Sequence, residues 1–392
     1  SGISNEFAYL PIGFLSAHSD FALNEGDIVI AMSGATTGKN CQISSKHLPA
    51  LLNQRAGRFV VTKNNELNNE FLAYVVKSQE FQNELLIDAV GGAQPNISSK
   101  QIENLSINLP PLPQQRKIAK ILSTCDTVIA KTEEAIGKYQ AIKQGMMHDL
   151  FTRGIDLSTG KLRPKFQDAP DLYKESELGM IPKDWEVKRL GEFGEFKNGL
   201  NKDKDSYGHG TPFVNIIDAY PEKLDVSRLG LVDTNSIERE IYKLIEGDII
   251  FVRSSVKPEG VGYNTIYESS KDQIVYCGFM IRFRIENKEK FIPSFFNLYF
   301  RSQKFRRSLL AVSTVSANTN INQDNLSKLF SIYPQKSEQL KAIEKIENIN
   351  KKIAVERASL AKYHQIKSGL MQDLLSGKVE VSVSKEEEIV NA

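Results

Sequence analysis

A single long helical seam is written twice in this chain, and that repetition constrains the fold more than any other feature. From Gln114 to Phe151 the apolar positions are Ile118, Leu122, Cys125, Ile129, Ile136, Tyr139, Met146 and Leu150, with polar breaks at Thr132 and Lys143. Steps of four and three put these residues on one narrow stripe, so the spacing predicts one helix from Pro113 to Arg153. Such a helix is roughly 60 Å long at 1.5 Å per residue. Gly154, followed by Ile155, reads as a left-handed C-terminal cap. Shifting by 224 positions places Leu122 on Ile346, Ile129 on Ile353, Thr132 on Glu356, Ile136 on Leu360 and Tyr139 on Tyr363. The same shift places Lys143 on Lys367, Gly145 on Gly369, Met146 on Leu370 and Asp149 on Asp373, and the second copy stops at Gly377. Two copies of one seam are most simply expected to pair with each other.

The flanking sequence is duplicated as well. Glu246-Gly247-Asp248-Ile249-Ile250 echoes Glu25-Gly26-Asp27-Ile28-Val29, and Ser302-Gln303-Lys304-Phe305 echoes Ser78-Gln79-Glu80-Phe81. Asn320-Ile321 echoes Asn96-Ile97, and Tyr333-Pro334 stands where Leu109-Pro110 stood. Within the first unit the pattern predicts a buried strand after Gly26-Asp27, a second strand at Arg58-Val61, and one helix from Glu70 to Val90 closed by Gly91-Gly92. The fold class is therefore α+β: two globular units, each followed by a long helix. The expected boundaries are 1–112 for the first globular domain, 113–154 for the first long helix and 155–175 for a polar linker. The second domain is expected at 176–336, the second long helix at 337–377 and a polar tail at 378–392. The second unit carries about 45 residues, from Ser176 to about Tyr220, with no counterpart in the first. The first unit is expected either to have been cut short or to have lost its opening piece, and Ser1-Gly2, which can be read as a tag remnant, favours the former.

Bulk properties narrow the class without naming a function. At 392 residues, with 41% hydrophobic and 25% charged residues, the composition is that of an ordinary globular protein. No apolar run approaches membrane-spanning length, and three scattered cysteines build neither a disulfide framework nor a zinc site. A cytoplasmic protein is expected. The net charge of +2 neither supports nor excludes nucleic acid. Arg301, Lys304, Arg306 and Arg307 form a local basic cluster, readable as a phosphate-facing edge or as a solvated helix face.

Catalytic motifs dissolve on inspection. Gly34-Ala35-Thr36-Thr37-Gly38-Lys39-Asn40 has three residues between its glycines, where a phosphate-binding loop needs four, and Asn follows the lysine. A nucleotide-handling enzyme built on Gly34–Lys39 is one alternative; a coiled-coil adaptor that binds only protein is another. What persists is a set of loops with the chemistry to read polar edges: amides for adenine, cations for guanine or phosphate, and hydroxyls for phosphate. In the first unit these are Ser33, Thr36, Thr37 and Lys39, and Gln94, Asn96, Ser98 and Lys100. In the second they are Arg253, Ser254, Ser255 and Lys257, and Asn318, Asn320 and Asn322. Lys197, Asn198, Tyr207 and His209 add an upstream group. Taken singly, each residue also reads as part of a polar turn.

In its duplicated order the chain resembles the specificity (S) subunit of type I restriction–modification enzymes. The resemblance rests on Ile181-Pro182…Trp185-Glu186-Val187…Leu190, on the Gly-Asp-Ile strands, and on the Asn-Ile loops before each long helix. Pro110-Pro111-Leu112-Pro113-Gln114-Gln115-Arg116-Lys117-Ile118-Ala119 at the helix entry and Lys143 to Phe151 at its end, repeated as Lys367 to Leu375, carry it further. The sequence departs from the pattern at Ser337-Glu338, where a second proline-rich entry is expected. The resemblance implies two target-recognition domains, each reading half of a bipartite duplex DNA site, spaced by the two long helices, which would form an intramolecular antiparallel coiled coil about a pseudo-twofold. It implies no catalysis on this chain and no bound cofactor or metal. Its partners would be two methyltransferase subunits carrying S-adenosylmethionine and ATP-driven motor-nuclease subunits. The seam residues Leu122, Ile129, Thr132, Ile136, Tyr139 and Met146 would then meet Ile346, Ile353, Glu356, Leu360, Tyr363 and Leu370. Thr132 is expected to bond Glu356 near the midpoint, and Gly145 and Gly369 to admit close approach by another backbone, such as a docked methyltransferase subunit, or to be packing glycines.

Overall fold

The computed structural model describes residues 9–87, 96–269, 273–315 and 318–383. The chain forms two compact units, one of residues 1–136 with 356–392 and the other of residues 137–355. The division therefore falls inside both long helices, Leu112–Leu150 and Lys336–Leu375, rather than at their ends. Each unit owns half of each helix.

In the first unit, Ile28–Ala31 is the central strand of a three-stranded antiparallel sheet, between Asn40–Gln42 and Ala56–Phe59. The flanking strand starts two residues earlier than the spacing predicts. Ile28 and Ile30 point into the core, meeting Phe71, Val76, Phe81 and Leu85. The single helix expected over Glu70–Val90 is two helices, Asn69–Lys77 and Gln79–Ile87. Ser78 breaks it: its extended backbone stops the first helix, and its hydroxyl accepts the Phe81 N–H at 3.3 Å. The echo is structural, because Ser302 caps Gln303–Ala311 in the same way. The expected Gly91-Gly92 stop lies outside the described residues. Ile118 and Leu122 of the first long helix and Leu374 and Leu375 of the second close this core, and these pairings run antiparallel.

In the second unit, Ile249–Val252 takes the central place, between Asn264–Ile266 and Met280–Ile285. The extra upstream segment supplies a fourth strand, Gly194–Asn198, on the far side of Met280–Ile285. It also builds most of a second sheet, in which Tyr207–Val214 lies between Gly230–Val232 and Val275–Tyr276. A dense phenyl core, with Phe193, Phe283, Phe296, Phe300 and Phe305, receives Met147, Leu150 and Phe151 from the first long helix and Ala342 and Ile346 from the second. Again the helix halves pair antiparallel. The segment read as a linker is packed here: Ile155 and Arg163 are buried, and Tyr173–Lys174 pairs with Ile181–Pro182.

Two sequence echoes carry side-chain contacts. Asp248 is buried and grips Arg284 of the facing strand through both oxygens, at 2.8 and 2.7 Å. Asp27 also faces an arginine of its neighbouring strand, Arg58 at 3.5 Å, but from a different register, since Arg58 lies opposite Val29 whereas Arg284 lies opposite Asp248 itself. Gln115 and Gln339, both fully buried, tie the long helices to their units. Gln115 accepts from Asn68 N–H at 2.8 Å and donates to the carbonyls of Glu66 and Pro110. Gln339 accepts from Ile292 N–H at 2.9 Å and donates to Lys290 and Pro334.

Candidate nucleic-acid interface

The two polar loops of each unit are joined, and in the same way both times. In the first unit Ser33 bridges Asn96, and the Ile97 N–H donates to the Met32 carbonyl at 2.8 Å. In the second, Ser254 pairs with Asn320 and Ser255 with Thr319, while the Ile321 N–H donates to the Arg253 carbonyl at 2.9 Å. The anchors Ile97 and Ile321 are buried, so each amide-rich loop is pinned by one apolar side chain next to the serine-bearing loop.

Around these joints the side chains divide. Thr36, Lys39, Asn96 and Lys100 are exposed and Ser33 and Thr37 half-buried, with the Thr37 hydroxyl donating to the Gly34 carbonyl at 2.7 Å. Gly34 and Gly38 both have positive φ, as a tight hairpin between two strands requires. Lys39 leads into strand Asn40–Gln42 and not into a helix, so the loop has no helix N-terminus with which to cradle phosphate. Gln94 lies outside the described residues. Ser98 and Asn322 have a local task that differs from base reading: they cap helices Ser99–Glu103 and Gln323–Lys328, accepting from Gln101 and Asn325 N–H. That use was legible, since Ser98-x-x-Gln101 is a capping box.

In the second unit Ser254, Ser255, Lys257 and Asn318 line a cleft of about 550 Å³ with Tyr220, Tyr263, Phe279 and Val256. Val256 and Phe279 stand well out of the surface, at 81% and 58% exposure. Gly260 is needed beneath, because a Cβ there would lie 2.2 Å from the Ser255 hydroxyl. Arg253 is half-buried, with one Nη 3.4 Å from the Gly278 carbonyl, and the Asn320 amide donates to the Asn318 carbonyl at 3.0 Å. Asn198 meets the amide of Gln323, beside the Asn322 cap. Lys197 lies over the Tyr242 ring at 5.6 Å. Tyr207 and His209 are exposed on the strand of the other sheet and do not join the paired loops.

Within the basic cluster, two of the four side chains are turned to backbone carbonyls. Arg301 donates to the Tyr220 carbonyl at 2.7 Å and to that of Asn264, and Arg306 donates to the Glu259 carbonyl at 2.7 Å and to that of Val261. Both guanidinium groups lie over the Tyr263 ring, and burial holds both below the usual arginine range. They brace the loops that frame the cleft. Lys304 is also pushed down by burial, and Arg307 is exposed.

Along the seam Leu122, Ile129, Thr132, Ile136, Ile346 and Ile353 are buried, whereas Tyr139, Met146, Glu356, Leu360, Tyr363 and Leu370 are half-buried. Near the end of the first helix Met147 takes the core position beside Met146. The expected bond from Thr132 to Glu356 is not made. The Thr132 hydroxyl donates its one proton to the Val128 carbonyl of its own helix at 2.8 Å, as mid-helix threonines commonly do. Gly145 and Gly369 are exposed, and a Cβ on either would meet nothing within 4 Å. Neither is a packing glycine among the described residues. Among the described residues no group of three or more His, Cys, Asp or Glu is placed to hold a metal, and no helix is long and apolar enough to cross a membrane.

Fold and loop faces together define a duplicated α+β module carried on paired helix halves. The family model of the type I restriction modification DNA specificity domain matches residues 3–144 and 182–363, and the chain belongs to that family. It is 26% identical over 393 residues to the type I restriction enzyme MjaVIII specificity subunit of Methanocaldococcus jannaschii, across 97% of this chain and 84% of that one. It is 23% identical to the EcoKI specificity subunit of Escherichia coli K12, across 82% and 67% of the two chains. Among solved structures, the fold is similar to one describing complex assembly and conformational transition of the type I R-M system (TM-score 0.58, 14% identity, 91% and 83% covered). It is also similar to the S subunit from M. genitalium (TM-score 0.52, 16% identity, 93% and 86% covered).

Proposed function

We propose that this chain reads a bipartite duplex DNA site, one half with the joined loops of each unit. The observation that carries this reading is the identical joint in both units, Ser33 with Asn96 and Ser254 with Asn320, which presents matched sets of amides, hydroxyls and lysines. On this reading the chain performs no chemistry. Methyl transfer from S-adenosylmethionine and ATP-driven cleavage belong to methyltransferase and motor-nuclease subunits that it brings to the site inside the cell. Co-expression with the cognate methyltransferase subunit, followed by genome-wide mapping of methylated bases, tests it; methylation without a two-part sequence would overturn it.

Two predictions follow the residues. Lys39 and Lys257 are exposed beside the joints and suit phosphate. Lys39→Ala and Lys257→Ala are each expected to weaken duplex binding similarly for all sequences, and to reduce the log–log salt slope by about 0.9. An unchanged slope in titrations across salt would remove them from the interface. At the open glycines, Gly145→Ala and Gly369→Ala are each expected to stabilise the isolated chain by about 1 kcal/mol. The same substitutions should weaken capture of the methyltransferase subunit if its backbone approaches there. Calorimetry and pull-down together check this, and stabilised variants that assemble at full affinity would exclude those faces as docking sites.

A further inference from the structure

The two polar contacts that replace seam packing near Lys143 and Lys367 form a pair of equivalent three-membered nodes. In the first unit Lys367 of the second long helix pairs with Asp126 of the first, and the Tyr74 hydroxyl of the globular part donates to Asp126 at 2.8 Å. In the second unit Lys143 of the first long helix pairs with Glu222 of the globular part, and the Asn350 amide of the second helix donates to Glu222 at 3.0 Å. The shift that superimposes the seams carries Lys143 onto Lys367 and Asp126 onto Asn350. Each node thus holds one lysine, one carboxylate and one neutral donor, drawn from both helices and the globular part. The carboxylate has changed sides: it is helix-borne in the first unit and domain-borne in the second.

Both nodes lead to the reading loops. Tyr74 lies in the helix Asn69–Lys77, whose Val76 carbonyl accepts from the Asn40 amide at 3.1 Å, directly after Lys39. Glu222 is two residues beyond Tyr220, which lines the cleft, and its carbonyl accepts from the Asn297 amide at 2.9 Å. Lys223 adds contacts to Glu347 of the second helix at 3.2 Å and to Glu268 at 2.8 Å. Lys143 and Glu222 side chains are 15% and 21% exposed, so the pair is shielded enough to hold a fixed geometry.

We propose that the Lys143–Glu222–Asn350 and Lys367–Asp126–Tyr74 nodes are positioning sites that hold each base-reading face at a set angle on its helices, and so restrict the spacer between half-sites without touching base identity. This rests on the bipartite-reading proposal above. A node that only stabilised its unit would change melting temperature and leave target choice alone.

The test maps methylated sites for the full chain co-expressed with its methyltransferase subunit, comparing wild type with Lys143→Met, Lys367→Met, and the swap Lys143→Glu with Glu222→Lys. Asn350 can present its amide oxygen to the swapped lysine. Expected are unchanged half-site sequences and a wider spacer range for both single variants, from one accepted length to two or more. The swap should return the range to that of wild type. Single variants that keep one spacer, whether or not their melting temperature falls, overturn the proposal, as does a changed half-site sequence at a constant spacer. A swap that fails to restore the range overturns the pairing itself. A wild-type protein that directs no bipartite methylation instead sinks the underlying reading, and is recognised before any variant is compared.

Discussion

Glu338→Ala is expected to lower the stability of the second unit by about 3–5 kcal/mol, the usual cost of leaving a buried charge without its partner. Glu338 is buried at the start of the second long helix and accepts four bonds there. Arg163 reaches both of its oxygens, at 2.5 and 3.1 Å, the Trp185 indole donates at 2.9 Å, and the Ile155 N–H donates at 2.6 Å. Removing the carboxylate strands a guanidinium, an indole N–H and a backbone N–H, although Asp184 at 2.6 Å still neutralises part of the Arg163 charge. In a unit of this size the loss corresponds to a fall of roughly 6–20 °C in melting temperature. Scanning calorimetry measures it, and a shift under about 1 kcal/mol would show that the residual Asp184 pairing suffices. Gly154→Ala attacks the same latch from the other side: its φ is +63°, and a Cβ would lie 2.1 Å from Glu338 Oε1 and 2.3 Å from the Trp185 ring. The second helix starts without a proline-rich entry, and its first turn is held by this buried carboxylate.

A matched insertion is expected to change what DNA the protein accepts while leaving both units intact. Four residues placed after Ile136 and four after Val355, where the two units divide, leave every contact within each unit in place. Each insertion lengthens its helix by about 6 Å, close to two base-pair steps of about 3.4 Å. If the helices measure the spacer, the preferred spacer changes by one or two base pairs with both half-sites retained. Methylation mapping reads this directly, and an unchanged spacer in a protein with wild-type melting would mean that the helices carry the units without measuring. An insertion in one helix alone is the control. It forces one unit to re-register its helix halves, and should cost stability where the matched pair does not.

Much of the site was legible because its information is local and repeated. Ser33, Asn96, Ser254 and Asn320 were identified from recurring loop composition at recurring offsets, and those residues prove to be the joints. Ser98 and Asn322, read from the sequence as base-facing, cap helices in the structure, and for Ser98 the spacing to Gln101 already spells out that cap. The Arg301 and Arg306 roles were not legible. Whether a guanidinium faces phosphate or a carbonyl depends on loops 37 to 81 positions away in sequence. The Asp248–Arg284 clamp was hidden for the same reason, since strand register brings them together across 36 positions.

By itself, then, the amino-acid sequence determined that there are two copies of one α+β unit, that each ends in a long helix with one apolar stripe, and that a glycine stops each helix. Those properties follow from periodicity and backbone φ, which act over a few residues. Only the tertiary structure decided that each unit is completed by half of each helix, that Thr132 turns to its own backbone, and that Lys143 finds Glu222 while Lys367 finds Asp126. A polar break in a seam says that a partner is needed; which carboxylate answers depends on what the folded domain brings within hydrogen-bond reach.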